Sequence, residues 1–262
     1  MARTISIGCQ DFEKIRREGY FYIDKTPFIS EWWEGGDSVT LITRPRRFGK
    51  TLNMDMMEHF FSIKYEDQGE LFQGLSIWKS EKYRALQGTR PVISLTFANA
   101  KEGDYTSMVQ RINQILTEAY YEYSFLLEAD CLLLEEKEDL RSISKDMPEV
   151  TATMALHWLC KCLYKYYGKK VLILLDEYDT PMQEAYINGY WDRMVSFTRS
   201  LFHAAFKTNP YLDRAIMTGI TRISRESIFS DLNNLEVVTP PIGRAAMGGM
   251  MCCWSLKWGM TE

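Results

Sequence analysis

Four short and nearly continuous apolar runs punctuate the chain, at 38–43 (SVTLIT), 91–97 (PVISLTF), 170–175 (KVLILL) and 214–220 (RAIMTGI). A run without alternation predicts a strand covered on both faces. Between the runs the period changes to that of a helix. Tyr105, Met108, Val109, Ile112, Leu116 and Ala119 share one helical face, as do Trp191, Met194, Val195, Thr198, Leu201, Phe202 and Ala205. Strands alternating with helices predict an α/β fold with a mostly parallel sheet flanked by helices. No fifth strand is evident. The stretch 128–149 is rich in acids and loses its apolar face after Leu134, which predicts an exposed insertion. From Pro240 onward both periods vanish, and Gly, Met, Trp and a Cys pair accumulate.

Composition narrows the picture. The chain has 262 residues, 46% of them apolar, which is enough for a real core and excludes a disordered chain. It carries 31 Lys and Arg against 35 Asp and Glu, a net charge of −4, so nothing draws the whole protein to nucleic acid or an anionic membrane. No apolar run approaches the roughly 18–20 residues of a membrane span, and the first 20 residues lack the apolar core of a secretory signal. A cytoplasmic protein is expected. Six cysteines are too sparse for a disulfide scaffold, and the scattered His59, His157 and His203 give no zinc-finger spacing.

Chemistry concentrates where strands end. After the first run comes Arg44-Pro45-Arg46-Arg47-Phe48-Gly49-Lys50-Thr51, and then Leu52, Met54, Met56, Met57, Phe60 and Phe61 at helical spacing. This is the Walker A pattern with Arg44 in place of its first glycine. The loop from Pro45 through Leu52 would surround phosphates, with backbone N–H donors from Arg46 onward, Lys50 would reach the terminal phosphates, and the Thr51 hydroxyl would bind Mg²⁺. Gly49 would let the backbone come close. The third run leads into Asp176-Glu177-Tyr178-Asp179, the form of a Walker B segment. There Asp176 would hold Mg²⁺ and Glu177 would deprotonate the attacking water. Asp179 is expected only to solvate the strand end. The fourth run ends in Thr218, which would sense the terminal phosphate, followed by Thr221, Arg222 and Arg225, with Arg222 the candidate to stabilise transferred charge.

Four ordered segments, GYFYIDKTPFI (19–29), RPRRFGKTLNMDMM (44–57), LILLDEYDTPM (172–182) and TGITRISRESIFSDLNNL (218–235), resemble the bacterial predicted AAA-ATPase-like family. The resemblance implies a P-loop NTPase of the additional-catalytic-glutamate type, using ATP and Mg²⁺, and makes Arg44 a family trait. It implies one domain over 1–239, with a helical insertion at about 100–168. Family members often continue into a PD-(D/E)XK nuclease-like region, whereas 240–262 is an atypical tail, expected to be truncated, frame-shifted or disordered. A protein partner is expected but not identifiable, and a homo-oligomer is compatible with such a site.

These readings make the protein an Mg²⁺-dependent ATPase whose turnover drives a conformational change. Two alternatives stay open: a nucleotide-gated binding module with negligible hydrolysis, and the ATPase arm of a nucleic-acid-processing system binding through Arg16, Arg17, Arg44, Arg46 and Arg47, which the net charge does not support. A nuclease metal cluster of Asp176, Glu177 and Asp179 would leave the Gly-Lys-Thr segment without a purpose.

Overall fold

All four apolar runs form strands in the structure, a computed structural model that describes residues 4, 8–45, 47–220 and 235–238. They are β1 (Val39–Thr43), β2 (Val92–Thr96), β3 (Val171–Asp176) and β4 (Leu212–Gly219). A fifth strand, β5 (Leu235–Val238), corrects the expectation of four. It is only four residues long and contains Glu236, so it lacks the sustained apolar run that marks the others. The strands pair in the order β2-β3-β4-β1-β5, and every pairing is parallel. Every residue of β1 and β3 is buried, as continuous runs require. By contrast β2 lies at the sheet edge and exposes Ser94 and Thr96, so it is not covered on both faces.

Helices α1 (Phe12–Arg17), α2 (Pro27–Gly35) and α3 (Lys50–Phe61) contribute to one apolar cluster. There Phe12, Ile29, Trp32, Met57 and Phe60 meet Ile42, Leu172, Leu174 and Ile216 of the sheet. The opposite alternation, Leu41, Ile173, Leu175 and Met217, faces a second and larger cluster. A short α4 (Glu81–Arg84) precedes β2. The second cluster is then built by α5 (Tyr105–Glu122), α6 (Leu134–Ser142), α7 (Glu149–Tyr167), α8 (Thr180–Asn188) and α9 (Trp191–Phe202), with a π-helical turn at His203–Lys207. Each Leu or Ile fully buried this way contributes about 1.5–3 kcal/mol. The predicted helical faces coincide with the buried sides of α5 and α9.

The acidic stretch 128–149 is not simply exposed. Leu132, Leu140, Ile143 and Met147 are buried in the larger cluster, and Glu136 is almost completely enclosed. Lys161 and Lys165, one turn apart on α7, reach its Oε1 at 2.8 and 2.6 Å. Burial favours the neutral acid, but the two lysines and the Leu133 N–H outweigh it and hold the carboxyl at about 2. The period-based expectation failed because a paired acid substitutes for an apolar residue at one inward position.

The register aligns the strands' carboxyl ends. Thr43 lies opposite Gly219, Leu175 opposite Met217, and Thr96 opposite Asp176. The predicted site residues among the described ones therefore gather at one rim of the sheet, where open parallel sheets bind ligands.

Candidate functional site

Beyond Thr43 the chain leaves the sheet, and the Arg44 N–H donates to the Gly219 carbonyl at 3.1 Å. Arg44 itself is buried. Arg47 and Gly49 both adopt left-handed backbone, with φ of 69° and 74°. For Arg47 this conformation costs about 1–2 kcal/mol, a sign that the loop's shape is imposed on it. Gly49 takes the position preceding the first turn of α3, so Lys50 and Thr51 begin the helix. Phe48 is exposed, while Leu52 packs against the cluster beneath α3 and offers the loop only its backbone.

Lys50 is 7% exposed and folds back across its own loop. Its Nζ donates to the carbonyls of Arg44 at 3.0 Å and Pro45 at 3.3 Å, and lies 3.6 Å from Glu177 Oε1. Glu177 also has left-handed backbone, φ 53°. Burial raises its pKa, with the nearby Asp176 and Asp179 adding to the rise and Lys50 opposing it.

Asp176, the last residue of β3, is 5% exposed. Its Oδ2 accepts from the Thr51 hydroxyl at 2.7 Å, a bond between residues 125 positions apart, and its Oδ1 accepts from the Thr218 hydroxyl. Because β4 lies between β1 and β3, its buried Thr218 is delivered to the aspartate's inner oxygen.

Asp179 departs from expectation, being fully buried rather than a solvated cap. Its Oδ2 accepts from the Ile220 N–H at 3.0 Å and Gln183 Nε2 at 2.8 Å, which ties the start of α8 to the end of β4. A Cβ at Gly219 would stand 2.5 Å from Asp179 Oδ1, so only glycine allows this approach. Among the described residues no three His, Cys, Asp or Glu side chains converge as a metal cluster. Asp176, Glu177 and Asp179 accordingly serve different neighbours.

Arg16 and Arg17 are engaged locally. Arg16 donates to the carbonyls of Leu71 and Gln73 at 2.7 and 2.8 Å, and Arg17 pairs with Glu13 and Glu70. Arg46, Thr221, Arg222, Arg225 and the tail 240–262 lie outside the described residues.

A model of the predicted AAA-ATPase family matches residues 6–229. The chain belongs to this family. One relative of this AAA-ATPase-like chain is the "Uncharacterized protein in vnfD 5'region" of Azotobacter chroococcum mcd 1, 26% identical over 249 residues. That alignment takes in 94% of the chain but only 43% of the relative's length. No solved structure matches significantly. The family membership suggests nucleotide binding. No helix among the described residues is long and apolar enough to cross a membrane.

The segment before α2 also reaches this rim, where no strand end marks it in the sequence. Lys25 brings its Nζ to within 3.2 Å of where a Cβ on Gly49 would stand. Its neighbour Asp24 accepts from the Thr26 N–H, the Thr26 hydroxyl and the Ser76 N–H at 2.9, 2.6 and 2.7 Å. Burial favours the neutral acid, yet these donors together draw the Asp24 pKa below the ordinary carboxylate range. The only sequence signal was the segment YIDKT itself, which carries no period and no known phosphate spacing.

Proposed function

We propose that this protein binds ATP with Mg²⁺ at the carboxyl rim of the sheet and hydrolyses it, as a P-loop NTPase of the additional-catalytic-glutamate type. The observation that carries the reading is the 2.7 Å bond from Thr51 to Asp176, which joins the two predicted motifs in one site. The parallel sheet is compatible with a P-loop fold, and the family membership supports a nucleotide.

The donors fit Mg²⁺. A buried carboxylate and a hydroxyl are hard oxygens, and two protein ligands suit an ion that keeps several waters and takes others from phosphate. Thr51 and Asp176 would hold it, the hydroxyl still donating to Asp176 while its lone pair faces the ion. Bound there, Mg²⁺ supplies neutralisation of the phosphate charge. Thr218 holds Asp176 in orientation through its hydrogen bond. Lys50 would exchange the Arg44 and Pro45 carbonyls for phosphate oxygens, a move of its flexible stem alone. Glu177, with its pKa raised by burial, is suited to accept a proton from the attacking water once Lys50 has left it.

That same ion pair favours a second reading, a nucleotide-gated module with negligible turnover, because Glu177 stays engaged until Lys50 moves. Calorimetry of Mg·ATP binding alongside phosphate release decides between them. The expected result is binding by the wild type, its loss in Lys50→Ala, and phosphate release by the wild type only. Binding without release favours the gated module, and equal binding by Lys50→Ala removes the site assignment.

A further inference from the structure

Lys25 occupies an unusual position for a lysine. It sits between α1 and α2, half-buried, with its ammonium against Gly49 at the head of α3. Among the described residues no carboxylate pairs with it, and burial alone pulls its pKa down. Its backbone is nonetheless held firmly on both sides. Asp24 is clamped by Thr26 and Ser76, the Thr26 hydroxyl accepts from the Ile77 N–H at 3.1 Å, and the Lys25 carbonyl accepts from the Phe28 N–H at 3.1 Å. The neighbouring Asp24 carboxylate spends its oxygens on Thr26 and Ser76 and leaves the lysine unneutralised.

A cation drawn partly out of water without a counter-ion carries a cost that a bound anion would relieve. The surroundings suit one. The positive end of α3 begins at Gly49 and Lys50, and the adjoining loop amides add further donors. We infer that Lys25 is a second phosphate-binding lysine, which reaches over Gly49 from the N-terminal segment to the β- and γ-phosphates of a bound nucleoside triphosphate. The inference rests on the nucleotide reading above. It gives the YIDKT segment a purpose: Asp24 and Thr26 are positioning residues that fix the height of Lys25 over the loop.

The test uses the full chain and needs no variant at its first step. An amine-acetylating reagent is applied with and without saturating Mg·ATP, and modification of Lys25, Lys50 and the exposed Lys145 is read by mass spectrometry. Protection of Lys25 but not of Lys145 is expected, with Lys50 enclosed and slow to react throughout. In parallel, Lys25→Met should weaken ATP binding by about ten- to a hundredfold, the loss expected for one charge-assisted hydrogen bond, while Lys25→Arg retains most of the affinity. No protection of Lys25, with unchanged ATP affinity in Lys25→Met, overturns the role of Lys25 and leaves the nucleotide site standing. No ATP binding by the folded wild type overturns the nucleotide reading, and the inference falls with it.

Discussion

Replacing Glu177 by Gln keeps the size of the side chain and its left-handed backbone, and removes only the charge that faces Lys50 at 3.6 Å. Two opposed effects decide the outcome. Attraction across 3.6 Å amounts to about 1 kcal/mol in water and about 5 kcal/mol at an effective dielectric of 20. Against it stands the cost of burying the carboxylate, whose side chain is 20% exposed. The raised pKa says that burial wins, so the ionised Glu177 is a net burden on the fold at neutral pH. Glu177→Gln is therefore expected to be as stable as the wild type or more so by up to about 1 kcal/mol, a rise in melting temperature of at most about 4 °C. A carboxyl raised in the folded state contributes stability that is present below its unfolded pKa and lost as pH rises through its folded pKa. The advantage of the glutamine variant should thus grow as pH rises through the folded pKa and vanish below the ordinary glutamate value. Thermal melts across this range, with Mg·ATP calorimetry and phosphate release, read all the consequences. Nucleotide affinity should hold while turnover falls at least about a hundredfold. A melting temperature lowered by more than about 4 °C would refute the balance of terms, and turnover within tenfold of wild type would refute Glu177 as the base.

Thr218→Val removes the hydroxyl that holds the inner oxygen of Asp176, and should cost about 1–3 kcal/mol in urea unfolding together with a loss of Mg·ATP affinity. Unchanged values in both would show that Thr51 alone orients the aspartate. Glu136→Gln should destabilise the wild type at pH 7 by up to about 3 kcal/mol, the full shift from the ordinary 4.5 to about 2. Because this carboxyl is depressed in the fold, its contribution is present above 4.5 and lost as pH falls toward 2, so the two proteins should converge there. Parallel acid-unfolding curves with no convergence would contradict the pairing with Lys161 and Lys165.

Much of this architecture is legible in the sequence because buried parallel strands leave little choice of residue. Leu172 to Leu175 face two different clusters in alternation, so both parities must be apolar and the run is continuous. The Gly-Lys-Thr and Asp-Glu segments stand out because a strand end fixes where each must lie. What escapes is whatever depends on a distant partner. Asp179 looks like any acid beyond a strand until Gly219 and Ile220 are brought against it. Glu136 looks solvated until α7 supplies two lysines. Lys25 belongs to a segment without periodicity, and only the folded chain lays it beside Gly49.

The residues ahead of β1 are bound into the sheet's underside. Arg214 Nη1, from the middle of β4, donates to the carbonyls of Trp32 and Trp33 at 2.9 and 2.6 Å, and Trp32 Nε1 donates to Thr40. The Phe12 N–H donates to Asp55 on α3 at 2.6 Å, so α1 is tied to the same helix that carries Lys50 and Thr51. A trimmed protein beginning at β1 would lose Phe12, Phe28, Ile29 and Trp32 together and lay bare the wall on which α3 leans. A shortened chain that keeps this wall intact therefore starts well before the loop, at the first turn of α1.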